Sequence, residues 1–123
     1  MKTIEIGVMT PEADRARALA LARQVDSGAD LPEAIPQLNF TSIKQLFSAI
    51  TEKRLELIRH VANQEGLNIR QLAQALGRDY KNVYEDVREL CEYGLLEKDD
   101  RGTLRAPYDQ FVIRADLHQA RVA

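Results

Sequence analysis

Tryptophan is absent from this chain of 123 residues, cysteine occurs once and proline four times. A single cysteine rules out an intramolecular disulfide framework and, with no secretory leader legible, points to a reducing, cytoplasmic setting. No apolar run reaches the ~18 residues that a membrane-crossing helix needs, so no membrane partner is expected. The two histidines, His60 and His118, stand far apart without a cysteine or carboxylate pattern at ligand spacing, which leaves metal binding unsupported. Also missing are a phosphate-cradling glycine loop, a nucleophile elbow and an HExxH pair. The acidic neighbours Glu85 and Asp86 diverge by about 100° on a helix and cannot share a reaction centre. The expectation is a non-enzyme with no catalytic residue, no cofactor and no metal.

An excess of charge of one sign is missing too. The formal net charge is −2, and between Thr51 and Ala106 ten lysines and arginines face eleven aspartates and glutamates, a net −1. Sequence-independent attraction to a polyanion is therefore weak, and the direction of each cation matters more than the sum. The length suits one domain with an extension, large enough for a sizeable core.

What is present is a strong local pattern from Leu67 to Pro107. Asn68 is a good N-cap, and Ile69, Leu72, Ala73 and Leu76 recur at helical spacing up to Gly77, a residue that accepts positive φ. Asp79 caps a second helix running to Tyr93, with Val83, Val87, Leu90 and Cys91 on one stripe and Gly94 as its stop. Three residues, Gly77 to Asp79, part the two stripes, the turn length of a helix-turn-helix. Beyond Leu95 and Leu96, Asp99-Asp100-Arg101-Gly102 is a turn leading into Thr103 to Ala106, and a hairpin in that position is a wing. Upstream, Thr51 caps a helix with Leu55, Ile58, Val61 and Ala62 inward and Gly66 as its stop.

These segments resemble a known group. TEKRLELI from Thr51, IRQLAQALGRD from Ile69, NVYEDVREL from Asn82 and YGLL from Tyr93 look like the winged helix-turn-helix regulators of prokaryotes, broadly MarR-like and ArsR-like. More narrowly, the chain resembles a small family of predicted regulators often encoded beside short toxin-like proteins. The resemblance is specific from Phe40 to Pro107 and looser outside. It implies a homodimer on a palindromic double-stranded DNA operator and, as a further partner, a small toxin protein.

The N-terminal part alternates from Lys2 to Met9, with Ile4, Ile6 and Val8 on one face, and reads as a strand. Thr10-Pro11-Glu12 starts a helix carrying Ala13, Ala16, Leu19, Ala20, Ala22 and Val25, which ends near Ser27-Gly28. Leu31 to Asn39, with Pro32 and Pro36, reads as an irregular connector, and Ser42 to Ile50 as a helix anchored by Ile43, Leu46, Phe47 and Ile50. Phe111, Ile113, Ala115 and Leu117 alternate in a second strand, which pairs with Thr3 to Val8 within the chain or across a dimer. His118 to Ala123 reads as a frayed end.

The expected fold is mainly α with a small β part: a strand-helix extension over 1–39 that serves as a dimerisation element, a winged helix-turn-helix over 40–107, and a strand and tail over 108–123. Its expected function is sequence-specific transcriptional regulation, as a repressor, through major-groove recognition by helix 79–93. The first turns of that helix meet base edges, so Tyr80, Lys81, Asn82 and Glu85 are the leading candidates. Lys81 suits guanine O6 and N7, Asn82 adenine N6 and N7, and Glu85 the cytosine N4 donor. Arg78 and Arg88 are assigned to phosphates, and Lys98, Arg101 and Arg105 on the wing to backbone or minor groove. Tyr80 and Tyr84 are open between packing on the core and touching sugar-phosphate. Asp86, at the edge of the buried face, requires a partner such as Arg54 or Arg78. Cys91 is assigned to inert core packing.

Two other classes remain. One is an antitoxin-like protein that neutralises a small toxin and autoregulates its operon, or a winged helix used only for docking on protein. The other is a small-molecule or redox sensor, for which Cys91 and the N-terminal half speak.

Overall fold

A computed structural model describes residues 1–28 and 35–117. The fold is α+β, with ten elements among the described residues: β1 (Thr3–Val8), α1 (Pro11–Asp26), β2 (Gln37–Phe40), α2 (Ile43–Ala49), α3 (Glu52–Asn63), α4 (Ile69–Leu76), α5 (Tyr80–Glu92), β3 (Glu97–Lys98), β4 (Leu104–Arg105) and β5 (Gln110–Ile113). They form two compact units, one of residues 1–2 with 47–110, the other of 3–46 with 111 onward. Part of the expected connector, 31–34 with Pro32, and the expected frayed end with His118 lie outside the described residues.

In the unit that begins at Thr3, β1 is the middle strand of a sheet ordered β2-β1-β5. β1 and β2 are parallel, with Glu5 opposite Gln37 and Val8 opposite Phe40. Gln110 N–H donates to Lys2 O and Arg114 N–H to Ile6 O, an equal offset on both strands that makes β5 parallel as well. The alternation of β1 sends Ile4 and Ile6 into the core. Gly7 admits a close neighbour, since a Cβ there would meet Arg114 O at 3.3 Å.

Two expectations need correction here. The segment read as connector to Asn39 ends in strand β2; its polar sequence QLNF hides a parallel partner that lies some thirty residues earlier in the chain. The strand read as Phe111 to Leu117 stops at Ile113, and Ala115 and Leu117 beyond it are exposed. Helix α1 is capped by Thr10, as read, and its apolar residues Leu19, Leu21 and Val25 are all exposed. Apolar composition marks a residue as able to be buried, and only a facing surface makes it so.

In the other unit, α3, α4 and α5 close around Leu57, Ile58, Val61, Ile69, Leu72, Ala73, Val83, Val87 and Leu90, joined by Leu95, Leu96 and Leu104. On α3, Leu57 takes the buried place assigned to Ala62, which is exposed, while Leu55 is half-buried. Leu76 of α4 is also half-buried. Around α2, whose residues 43–46 belong not to this unit but to the one that begins at Thr3, Leu46, Ala49 and Ile50 are buried, whereas Ile43 and Phe47 are 47% and 61% exposed. Both 43-47-50 and 46-49-50 are helical stripes, and periodicity alone does not say which one faces the core. The chain start is tied into this unit, with Lys2 N–H donating to Asp109 Oδ2 at 2.7 Å and its ammonium 5.8 Å from the Tyr108 ring centre.

Candidate nucleic-acid interface

The pair α4–α5 is set by local capping. Asn68 accepts from Gln71 N–H at 2.8 Å and the Gln71 side chain accepts from Asn68 N–H at 3.0 Å, a reciprocal capping box. At the far end Gly77 adopts φ 63°, and Arg78 N–H donates to Ala73 O at 3.0 Å, closing the helix with a left-handed cap. Asp79 then caps α5 by accepting from Asn82 N–H at 3.4 Å. The chain therefore turns between the helices in three residues, and the first turn of α5 projects Tyr80, Lys81 and Asn82, all exposed.

Burial sorts the rest of α5. Val83, Val87 and Leu90 face the core, while Lys81, Glu85, Arg88 and Glu92 are exposed on the opposite side. Tyr84 lies on the flank, 42% exposed, with its ring centre 6.2 Å from that of Tyr80. Arg70 of α4 stands over the Tyr80 ring at 5.6 Å. Arg70 is the one cation of this surface that the sequence reading left out; its position at the second residue of α4, facing the start of α5, is the signal that points to it.

Asp86 has both of the partners considered for it. Arg54 Nε donates to Asp86 Oδ1 at 3.0 Å and Arg78 Nη2 to Asp86 Oδ2 at 2.7 Å. Arg54 also pairs with Glu89 at 2.7 Å and donates to Ala49 O at 3.0 Å. Burial opposes the Arg54 charge, but the hydrogen bonds to Asp86 and Glu89 outweigh it and hold the guanidinium above its ordinary range. This network joins α3, the turn and α5, and it occupies Arg78, assigned above to phosphate. One Arg78 nitrogen, Nη1, is buried without a partner among the described residues.

The hairpin β3–β4 pairs Glu97 with Arg105 and Lys98 with Leu104. Its turn is organised by Asp99 Oδ1, which accepts from Arg101 N–H at 2.9 Å and Thr103 N–H at 2.8 Å. Leu104 N–H donates to Leu67 O at 2.9 Å, stitching the hairpin to the residue before α4. Arg105 is drawn into a cross-strand pair with Glu97 at 2.9 Å. Lys81, Arg88, Lys98 and Arg101 form no ion pair among the described residues.

Cys91 corrects the core assignment made for it. It is half-buried, in the wall of a groove of about 520 Å³ between α5 and β3 that is floored by Ile69, Val87 and Leu96. Position 91 follows Leu90 by one helical step, which carries it to the edge of the stripe where the hairpin leaves this opening. Burial pushes the thiol up, with Lys98 pulling the other way, so the reactive thiolate is scarce at neutral pH. Among the described residues no three histidine, cysteine, aspartate or glutamate side chains converge as for a metal ion, and no helix is long and apolar enough to cross a membrane.

The model of the HVO_A0114 family matches residues 49–113, from the end of α2 to the end of β5. That is more than half of the chain, which therefore belongs to the HVO_A0114 family. No curated protein and no solved structure matches it.

Proposed function

We propose that the chain is a sequence-specific DNA-binding regulator of transcription, a repressor acting in the cytoplasm without catalysis, and that α3, α4, α5 and the β3–β4 hairpin work as a winged helix-turn-helix. The observation that carries this reading is the exposed start of α5: Tyr80, Lys81, Asn82 and Tyr84 project from a helix whose opposite side is packed into the core. An α-helix presented in this way fits the major groove. Lys81, Asn82 and Glu85 then address base edges. Arg88, Lys98 and Arg101, without an ion pair among the described residues, take phosphate or minor groove, and Arg105 contributes only if it leaves Glu97. Arg78 acts by holding the turn against Asp86. The exposed apolar residues of α1 support a homodimer, as a two-fold operator would require.

Selection of fragments from the source genome by the purified full chain tests this reading directly. A recovered sequence bound with steep salt dependence is expected. One observation favours a second reading, docking on a protein such as a small toxin: Glu85 and Glu92 share the exposed face of α5 with Lys81 and Arg88, and carboxylates there repel phosphate. Failure to select any fragment, the chain's own promoter included, would put that reading in place of the first.

A further inference from the structure

With ten cations against eleven carboxylates from Thr51 to Ala106, phosphate contacts contribute little net attraction. Contacts to the bases must therefore supply a larger share of any selective affinity. The largest apolar surfaces at the start of α5 are the rings of Tyr80 and Tyr84, 47% and 42% exposed. They stand one turn apart with centres separated by 6.2 Å and planes inclined by 33°, so they form one continuous patch instead of two isolated side chains. The Arg70 guanidinium, 5.6 Å from the Tyr80 ring centre, restrains that ring by a cation–π contact. A restrained ring loses less freedom on binding than a mobile one.

In the major groove the apolar feature that a base presents on its edge is the thymine C5 methyl group. We propose that Tyr80 and Tyr84 form a two-ring platform that packs on thymine methyl groups, so that the preferred site carries thymine beneath the first two turns of α5. Lys81 and Asn82, exposed beside the rings, read the hydrogen-bonding edges of the neighbouring pairs. The inference rests on the DNA-binding reading and adds to it which base is recognised and by which side chains.

The test uses the full chain and its best selected fragment, resynthesised with deoxyuridine in place of thymine at one position at a time. That exchange removes a methyl group and leaves every hydrogen-bonding atom. Wild-type affinity is expected to fall about three- to fivefold at each contacted position, the amount one buried methyl contributes. Tyr80→Phe and Tyr84→Phe retain this sensitivity, because the ring and not the hydroxyl makes the contact. Tyr80→Ala and Tyr84→Ala, checked for native helix content by circular dichroism, bind more weakly and no longer distinguish the two bases. Selective binding that ignores deoxyuridine throughout, or Phe variants that lose as much affinity as the Ala variants, overturns the platform and leaves the DNA-binding reading standing. Absence of any selective binding overturns both.

Discussion

Arg54 on α3 and Asp86 on α5 lie 3.0 Å apart, with side chains only 11% and 16% exposed, and this pair fastens α3 to the helix whose start forms the candidate interface. Arg78 holds the other carboxylate oxygen at 2.7 Å. Truncating Asp86 would leave the Arg78 guanidinium, 21% exposed, without its carboxylate and would cut Arg54 back to Glu89 and Ala49 O. Asp86→Ala is therefore expected to cost about 3 kcal/mol in urea denaturation. By contrast, Glu97→Ala removes the partner of Arg105 at an exposed pair and is expected to cost under about 0.5 kcal/mol. Equal costs for the two substitutions would contradict the role given to the buried network.

Gly77 is the left-handed residue of the turn between α4 and α5, at φ 63°. A Cβ there meets nothing within 4 Å, so replacement is penalised by the backbone alone. Gly77→Ala is expected to destabilise by about 1–2 kcal/mol and Gly77→Asn by less. Thermal melts of the three proteins check the order.

Cys91 sits at an open groove, where a serine hydroxyl reaches water. Cys91→Ser is accordingly expected to cost under about 1 kcal/mol, and a loss of several kcal/mol would return the residue to the core. Burial raises the thiol, which means folding favours its protonated form. That contribution is present below the ordinary thiol range and is lost as pH rises through the raised value. Modification of the native thiol at neutral pH should run slower than in the denatured chain, with its rise displaced to higher pH. A native thiol faster than the denatured one would revive the redox-sensor reading.

On the proposed DNA-binding reading, Asn82 and Arg101 are expected to separate base reading from anchoring. Asn82→Ala is expected to cost about 1–3 kcal/mol on the selected site and to relax preference at one base pair. Arg101→Ala should weaken all sequences alike and reduce the magnitude of the log K against log salt slope by about 1. Binding isotherms at several salt concentrations distinguish the two; uniform weakening from Asn82→Ala would remove it from base reading.

The proposed homodimer is expected to form through the α1 region, where Leu19, Leu21 and Val25 are exposed. Sedimentation that shows only monomer at tens of micromolar would exclude a dimer at those concentrations.

The helices were legible to different depths for a physical reason. Those of α4 and α5 announce themselves through Asn68 with Gln71, Gly77 and Asp79, each acting on backbone groups within four residues. The strand β2 was not legible, because its polar sequence gains meaning only beside β1. Phe47, read as an anchor of its helix, is exposed, and Ala49, which the sequence did not single out, is buried. Hydrophobicity ranks candidates for the core without stating which stripe of α2 meets a neighbour.

By itself the sequence determined where α4 and α5 begin and end and where α3 begins, which face of α5 is polar, and that the hairpin turn falls at Asp99 to Gly102, whereas α3 ends at Asn63, short of the Gly66 read as its stop. Caps, periodicity and turns are interactions among near neighbours, and near neighbours are written next to one another. Only the tertiary structure decided which cations stay unpaired. Arg105 looks as available as Arg88 and Arg101 along the chain, yet Glu97 engages it, and Arg78, open between phosphate and Asp86, is held by Asp86. The pairing that anchors this choice, Arg54 to Asp86, spans 32 positions, a distance over which charge and hydropathy patterns carry no register.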